Sequence, residues 1–99
     1  MDKKIVTTPL FRQKLSKVVK YIQSVFGNKA MLDFIAKLDQ HIQRILKHPT
    51  IGIASRKDPT VRYVIVKPHN KIYYKTYPSR VTILDLFDMR QHPSKNSFQ

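Results

Sequence analysis

The chain has 99 residues, enough for one domain with a modest core, and its 41% hydrophobic content excludes a disordered polymer. Nineteen Lys and Arg stand against six acids, all of them Asp, giving a net charge of +13 and three classes of partner: nucleic acid, an anionic membrane surface or an acidic protein. The absence of cysteine excludes a disulfide framework and a thiolate metal site.

The N-terminal stretch "MDKKIVTTPLF" has no apolar core of signal-peptide length, and no later run is long enough to span a bilayer, so a cytoplasmic chain is expected. Within it, "KKIVTT" is a candidate short strand. Residues 9–26 place Leu10, Phe11, Leu15, Val18, Val19, Ile22, Val25 and Phe26 at helical spacing, which predicts a helix with one apolar stripe. Thr8 fits its N-cap, Pro9 its first turn, and Gly27 its left-handed C-terminal residue. Asn28 is then the expected cap of a second helix over 29–47, whose stripe is Met31, Phe34, Ile35, Leu38, Ile42, Ile45 and Leu46. So short a junction makes the two helices antiparallel neighbours.

After a loop, "HPTIGIASRKDPT", the period changes to two. The segments 61–67, 71–77 and 81–87 are rich in β-branched and aromatic residues, and "PHN" and "PSR" separate them, which predicts a three-stranded antiparallel meander. The last strand is apolar on both faces except at Thr82 and Asp85 and is expected to be central. Helices followed by strands give an α+β domain over 1–99, a helical hairpin packed on one face of a small antiparallel sheet, with a polar tail from about 93. The sheet's need for those apolar stripes argues against a membrane-surface role for the helices.

The meander interleaves cations and rings. Arg62, Tyr73, Lys75 and Tyr77, with Arg90 and Gln91 beyond the last strand, form a candidate surface for a target or a nucleic acid, since cations neutralise phosphates and rings stack on bases. Alternation puts Lys71, Tyr73, Lys75 and Tyr77 on one face, expected to be solvated or ligand-facing, and Ile72, Tyr74 and Thr76 on the other, expected to face the core. Arg90 and His92 either clamp a phosphate and move a proton or belong to a plain polar tail. Asp85 and Asp88 are not a general acid–base pair, and four scattered His give no metal-ligand spacing. With only Gly27 and Gly52 there is no glycine-rich phosphate loop, so neither metal nor small-molecule cofactor is expected.

These pieces, in order, resemble the RelE/ParE family of bacterial toxins. The likeness covers nearly the whole chain: "YIQSVFGNKAMLDFIAKLDQHIQRILKHPTIG", then "VRYVIVKPHNKIYYKTY", then "VTILDLFDMRQHP". The resemblance implies a growth-arresting toxin of a type II toxin–antitoxin system, neutralised by an acidic, amphipathic antitoxin. It implies one of two targets. ParE-like members poison DNA gyrase and are not enzymes; RelE-like members are endoribonucleases that cut mRNA on the ribosome. The two long helices and the "YIQSVFGNKA" junction are more similar to the ParE-like side. On the RelE-like side, the resemblance carries over Lys71 and Arg90 as stabilisers of the phosphorane anion and His92 or a tyrosine as the proton carrier. Some members use a glutamate as base, and this chain has none. A seam between hairpin and meander is the expected antitoxin site for an amphipathic helix, and the middle strand offers a second mode, an added strand along an exposed neighbour edge. Lys14, Lys17, Lys20, Lys71 and Lys75 would meet the partner's carboxylates.

Overall fold

The computed structural model describes residues 3–96 and residue 98; Met1, Asp2, Ser97 and Gln99, the last two in the expected tail, lie outside the described residues. The elements run β1 (Lys4–Thr7), α1 (Pro9–Phe26), α2 (Asn28–Lys47), β2 (Ile53–Ala54), β3 (Val61–Val66), β4 (Asn70–Thr76) and β5 (Arg80–Asp88). This is the expected α+β architecture. Thr8 caps α1 from an extended backbone, its Oγ1 accepting from the Phe11 N–H at 3.1 Å. The same hydroxyl donates to the Leu84 carbonyl at 2.7 Å, so the cap also ties the start of α1 to β5. Gly27 joins the helices with φ +91°, a conformation that favours glycine. It is Gly27, not Asn28, that caps α2. Asn28 is the first helical residue, and its side chain accepts from Gln23 Nε2 at 2.8 Å, which ties the two helix ends together.

The sheet has five strands in the order β1-β5-β4-β3-β2. Two features differ from the sequence expectation. The N-terminal strand joins β5 in parallel, Lys4 opposite Arg80, so the sheet is mixed; the intervening hairpin supplies the long crossover that a parallel pair needs. A two-residue strand, β2, pairs Ile53 and Ala54 with Tyr63 and Arg62 inside the segment expected to be a loop. With these additions the centre moves to β4. The last strand is interior, flanked by β1 and β4, which accounts for its apolar residues on both faces. A bulge between Tyr73 and Tyr74 breaks the β4–β5 register, with Tyr73 opposite Asp85 and Tyr74 opposite Ile83.

Phe11, Phe34, Leu38 and Ile45 of the hairpin pack with Val66, Ile72, Tyr74, Val81, Ile83 and Leu86 of the sheet to make the main core. A second, smaller cluster lies on the opposite face: Val61, Tyr73 and Phe87, with Tyr63, Leu84 and Phe98 against them. The C-terminal tail makes that cluster possible. A short 3-10 turn, Pro93–Lys95, brings Asn96 Nδ2 to 2.7 Å from the Tyr73 hydroxyl and the Phe98 ring to 5.2 Å from the Tyr73 ring. Ser55 Oγ donates to the Phe98 carbonyl. The tail is therefore part of the fold, and Tyr73, expected in the solvated set, is buried beneath it. Burial holds the Tyr73 phenol above its ordinary pKa, so it stays a neutral hydrogen-bonding group.

Tyr74 organises the other side. Its hydroxyl accepts from the Gly52 N–H at 2.9 Å and donates to the Pro49 carbonyl at 2.8 Å, which pins the loop that leads into β2. A Cβ at Gly52 would stand 2.5 Å from that hydroxyl and 2.9 Å from the Tyr63 carbonyl, a backbone atom that cannot swing aside. Gly52→Ala is expected to cost about 3 kcal/mol, the sum of an overpacking term and two disturbed buried hydrogen bonds. Urea unfolding checks it. A loss below about 1 kcal/mol would mean that the loop relaxes freely.

Candidate functional site

The sheet covers only part of the hairpin's apolar surface. Tyr21 and Val25 are each more than half exposed, Phe26 is 66% exposed and Leu32 60%. Where the second half of α1 and the first half of α2 approach the β3–β4 turn, they enclose a groove of about 620 Å³. Val18, Ile22 and Phe34 give it apolar walls, while Lys17, Lys37, Lys67 and Arg90 bring positive charge to it. Two acids line it as well, and each already has a cation: Asp33 pairs with Lys29 at 3.1 Å, and Asp88 pairs with Arg90 at 2.7 Å. Tyr21 and Phe26 meet edge to face, 6.4 Å apart, at its helical end.

Arg90 lines the same groove. Its Nε and Nη2 fork onto both Asp88 oxygens, and its backbone N–H donates to the same carboxylate at 2.9 Å. That hydrogen bonding keeps the Asp88 carboxyl below its usual pKa and the guanidinium above its own. The arginine side chain is nevertheless 59% exposed, so a charged planar group is presented to solvent in a fixed orientation. Gln91 is exposed beside it and donates its N–H to the Asp88 carbonyl at 3.0 Å.

This fold, a helical hairpin packed on a five-stranded sheet, has known counterparts. The family profile described as "ParE toxin of type II toxin-antitoxin system, parDE" matches residues 5–93. The chain belongs to the ParE toxin family. It is a ParE-like toxin of a type II toxin–antitoxin system. Its fold is similar to that of a chain from the chromosomal ParDE system of P. aeruginosa, with a TM-score of 0.72, 11% identity, and coverage of 87% of this chain and 95% of that one. It is also similar to a chain of the E. coli DinJ–YafQ toxin–antitoxin complex, with a TM-score of 0.57, 15% identity, and coverage of 91% and 96%. At these identities the likeness is one of fold. No curated protein matches the sequence significantly.

In this ParE-like toxin the residues singled out from sequence fall into separate places. Lys71 and Arg90 are not neighbours: Arg90 lines the groove beside α1, whereas Lys71 lies on the opposite sheet face, its Nζ 4.4 Å above the Tyr63 ring. His92 is exposed and caps the short tail helix, Nδ1 accepting from the Ser94 N–H at 3.1 Å. Arg62 is turned to structural use, Nη1 donating to the Gly52 carbonyl at 2.7 Å. Lys75 and Tyr77 do stand together, with Arg80 stacked 3.9 Å over the Tyr77 ring. Two of the cations expected beside an antitoxin, Lys71 and Lys75, sit away from the groove, and Lys14 is committed to Asp85 at 2.8 Å. Lys37, Lys67, Tyr21 and Phe26 line the groove together with Lys17. The signal for Phe26 was present in the sequence, because the α1 stripe runs on to it, further than the sheet covers; Tyr21 lies outside the expected stripe. Among the described residues, no helix is long and apolar enough to cross a membrane.

Proposed function

We infer that this toxin acts by binding and not by chemistry, that its target is DNA gyrase, and that Arg90 is the principal anchor for that target. One observation carries the reading: a pre-oriented, exposed guanidinium stands next to an apolar groove, while the groups that RNA cleavage would need are spread over two faces of the sheet. A guanidinium already fixed by Asp88 loses little side-chain entropy on forming a contact. The groove is the site for the antitoxin. Its apolar walls suit one face of an amphipathic helix, and its lysines suit the carboxylates that flank that face. An antitoxin seated there would lie against Arg90, so occupying the groove and masking the anchor are one event.

Induced expression without antitoxin is expected to stop growth. The purified chain is expected to inhibit gyrase supercoiling and to leave mRNA uncut in a primer-extension assay on cells. Arg90→Ala should raise the inhibitory concentration at least tenfold, the range of an interface hot spot, whereas His92→Ala should change it less than threefold. Cut mRNA, together with large losses from both substitutions, would replace this reading with ribosome-dependent RNA cleavage.

A further inference from the structure

The hairpin covers one face of the sheet, and the tail covers only the middle of the other. Around that cap stand four cations. Lys4 is opposite Arg80 in the β1–β5 register, Lys75 is opposite Thr82 in the β4–β5 register, and Lys71 lies one full pleat from Tyr73, so all four project from the face that faces away from the helices. None of the four forms an ion pair among the described residues, where the pairs are Lys14–Asp85, Lys29–Asp33 and Arg90–Asp88. The acid that Lys75 influences is Asp58, whose Oδ1 already accepts from the Thr60 hydroxyl at 2.6 Å and its N–H at 3.1 Å. Two tyrosines hold the cations in place: Lys71 is over Tyr63, and Arg80, with Lys75 further off, is over Tyr77.

That use of the rings decides the kind of ligand. A ring whose face carries a lysine or a guanidinium is a support for the charge and not an open platform for a base. The face would therefore read phosphates and be indifferent to sequence. Along β4 the cations Lys71 and Lys75 are about 13 Å apart at ordinary strand rise, and neighbouring strands add about 4.8 Å each, so the charges form a patch and not a single-file track. A patch matches the duplex, which carries twice the charge per unit length of one strand. We propose that the outer sheet face of this toxin is a sequence-independent binding surface for the sugar–phosphate backbone of double-stranded DNA, carried by Lys4, Lys71, Lys75 and Arg80. It is separate from the groove and does not depend on the gyrase reading. If both hold, the toxin meets an enzyme that works on DNA while itself held on DNA.

Fluorescence anisotropy with a labelled duplex of about 20 bp, titrated with the purified full-length chain from about 50 to 200 mM salt, tests the proposal. Four neutralised phosphates predict a log–log slope of about −3 to −4. Lys75→Gln/Arg80→Gln should lower the slope by about 2 and weaken binding at least tenfold. Lys4→Gln/Lys71→Gln should do the same, a second route should either pair fail to fold by circular dichroism. Lys29→Gln/Lys47→Gln removes equal charge from α2 and should change affinity less than threefold. Equal losses from sheet-face and α2 variants would reduce the effect to net charge and overturn the proposal. So would an unlabelled single strand of the same length competing more strongly than unlabelled duplex, or no duplex binding at low salt.

Discussion

Tyr21→Asp/Phe26→Asp is expected to leave the toxin folded and toxic while freeing it from its antitoxin. The two rings are exposed in the free chain, 53% and 66%, so placing carboxylates there removes little packing and leaves the core untouched. In the proposed complex, with the antitoxin in the groove, the same rings would become buried aromatic anchors. Truncating such an anchor costs about 2 kcal/mol or more, so the pair is worth roughly 4 kcal/mol, a thousandfold in affinity. The new carboxylates would also repel an acidic partner from the groove. The measurement is growth on co-expression with the cognate antitoxin, together with the dissociation constant of the purified pair. Growth should no longer be restored, and the constant should rise by about three orders of magnitude. Rescue that persists would place the antitoxin elsewhere on the surface. Loss of toxicity in the uninhibited variant would extend the gyrase contact from Arg90 to the two rings.

The groove was only half legible in the sequence, and the reasons are physical. Helical spacing names the residues of a stripe but not how far the sheet beneath it extends, so Val18, Ile22 and Phe26 read alike even though Phe26 stays exposed. Strand alternation correctly separated Ile72 and Tyr74 from Lys71 and Lys75, yet it says nothing about what lies over each face. Tyr73 was assigned to solvent because the cover arrives from Asn96 and Phe98, more than 20 residues later, inside a run that is otherwise polar. The same alternation already placed Lys71 and Lys75 away from the hairpin. A partner confined to the groove would therefore not reach them, whereas a strand added at the sheet edge could. β2 was hidden because two residues next to a glycine carry no period at all. The parallel pairing of β1 was hidden because the N-terminal segment's own pattern gives no strand direction. The hairpin, its junction and the meander were legible because each rests on local rules, periodicity and caps, that tertiary context here reinforces.

The second large effect concerns Lys14. It reaches from α1 to Asp85, Nζ to Oδ1 at 2.8 Å, and the two ends of the pair are unequal: the lysine side chain keeps 32% exposure, the carboxylate 1%. Asp85 Oδ1 also accepts from the Leu86 N–H at 2.8 Å, and Oδ2 has no hydrogen-bond partner among the described residues. Lys14→Met thus removes the one cation paired with a carboxylate that cannot reach water. Breaking a buried pair in this way costs about 3–5 kcal/mol, and the partial exposure of the lysine favours the lower end. Asp85→Asn should be milder, about 1–2 kcal/mol, because the orphaned partner is then a lysine that can turn to solvent while the amide oxygen still accepts from Leu86. Lys14→Met/Asp85→Leu should recover most of the loss, since no charge is left buried and leucine approximates the volume. For a domain whose total stability is roughly 5–15 kcal/mol, the single lysine change is a large fraction of the whole. Urea denaturation with an unchanged m-value should show Lys14→Met shifting the midpoint by about 2 M, Asp85→Asn by about 1 M, and the double variant returning close to wild type. A double variant no better than Lys14→Met would show that the pair orders the start of α1 against the β5 bulge in a way that apolar contact cannot replace.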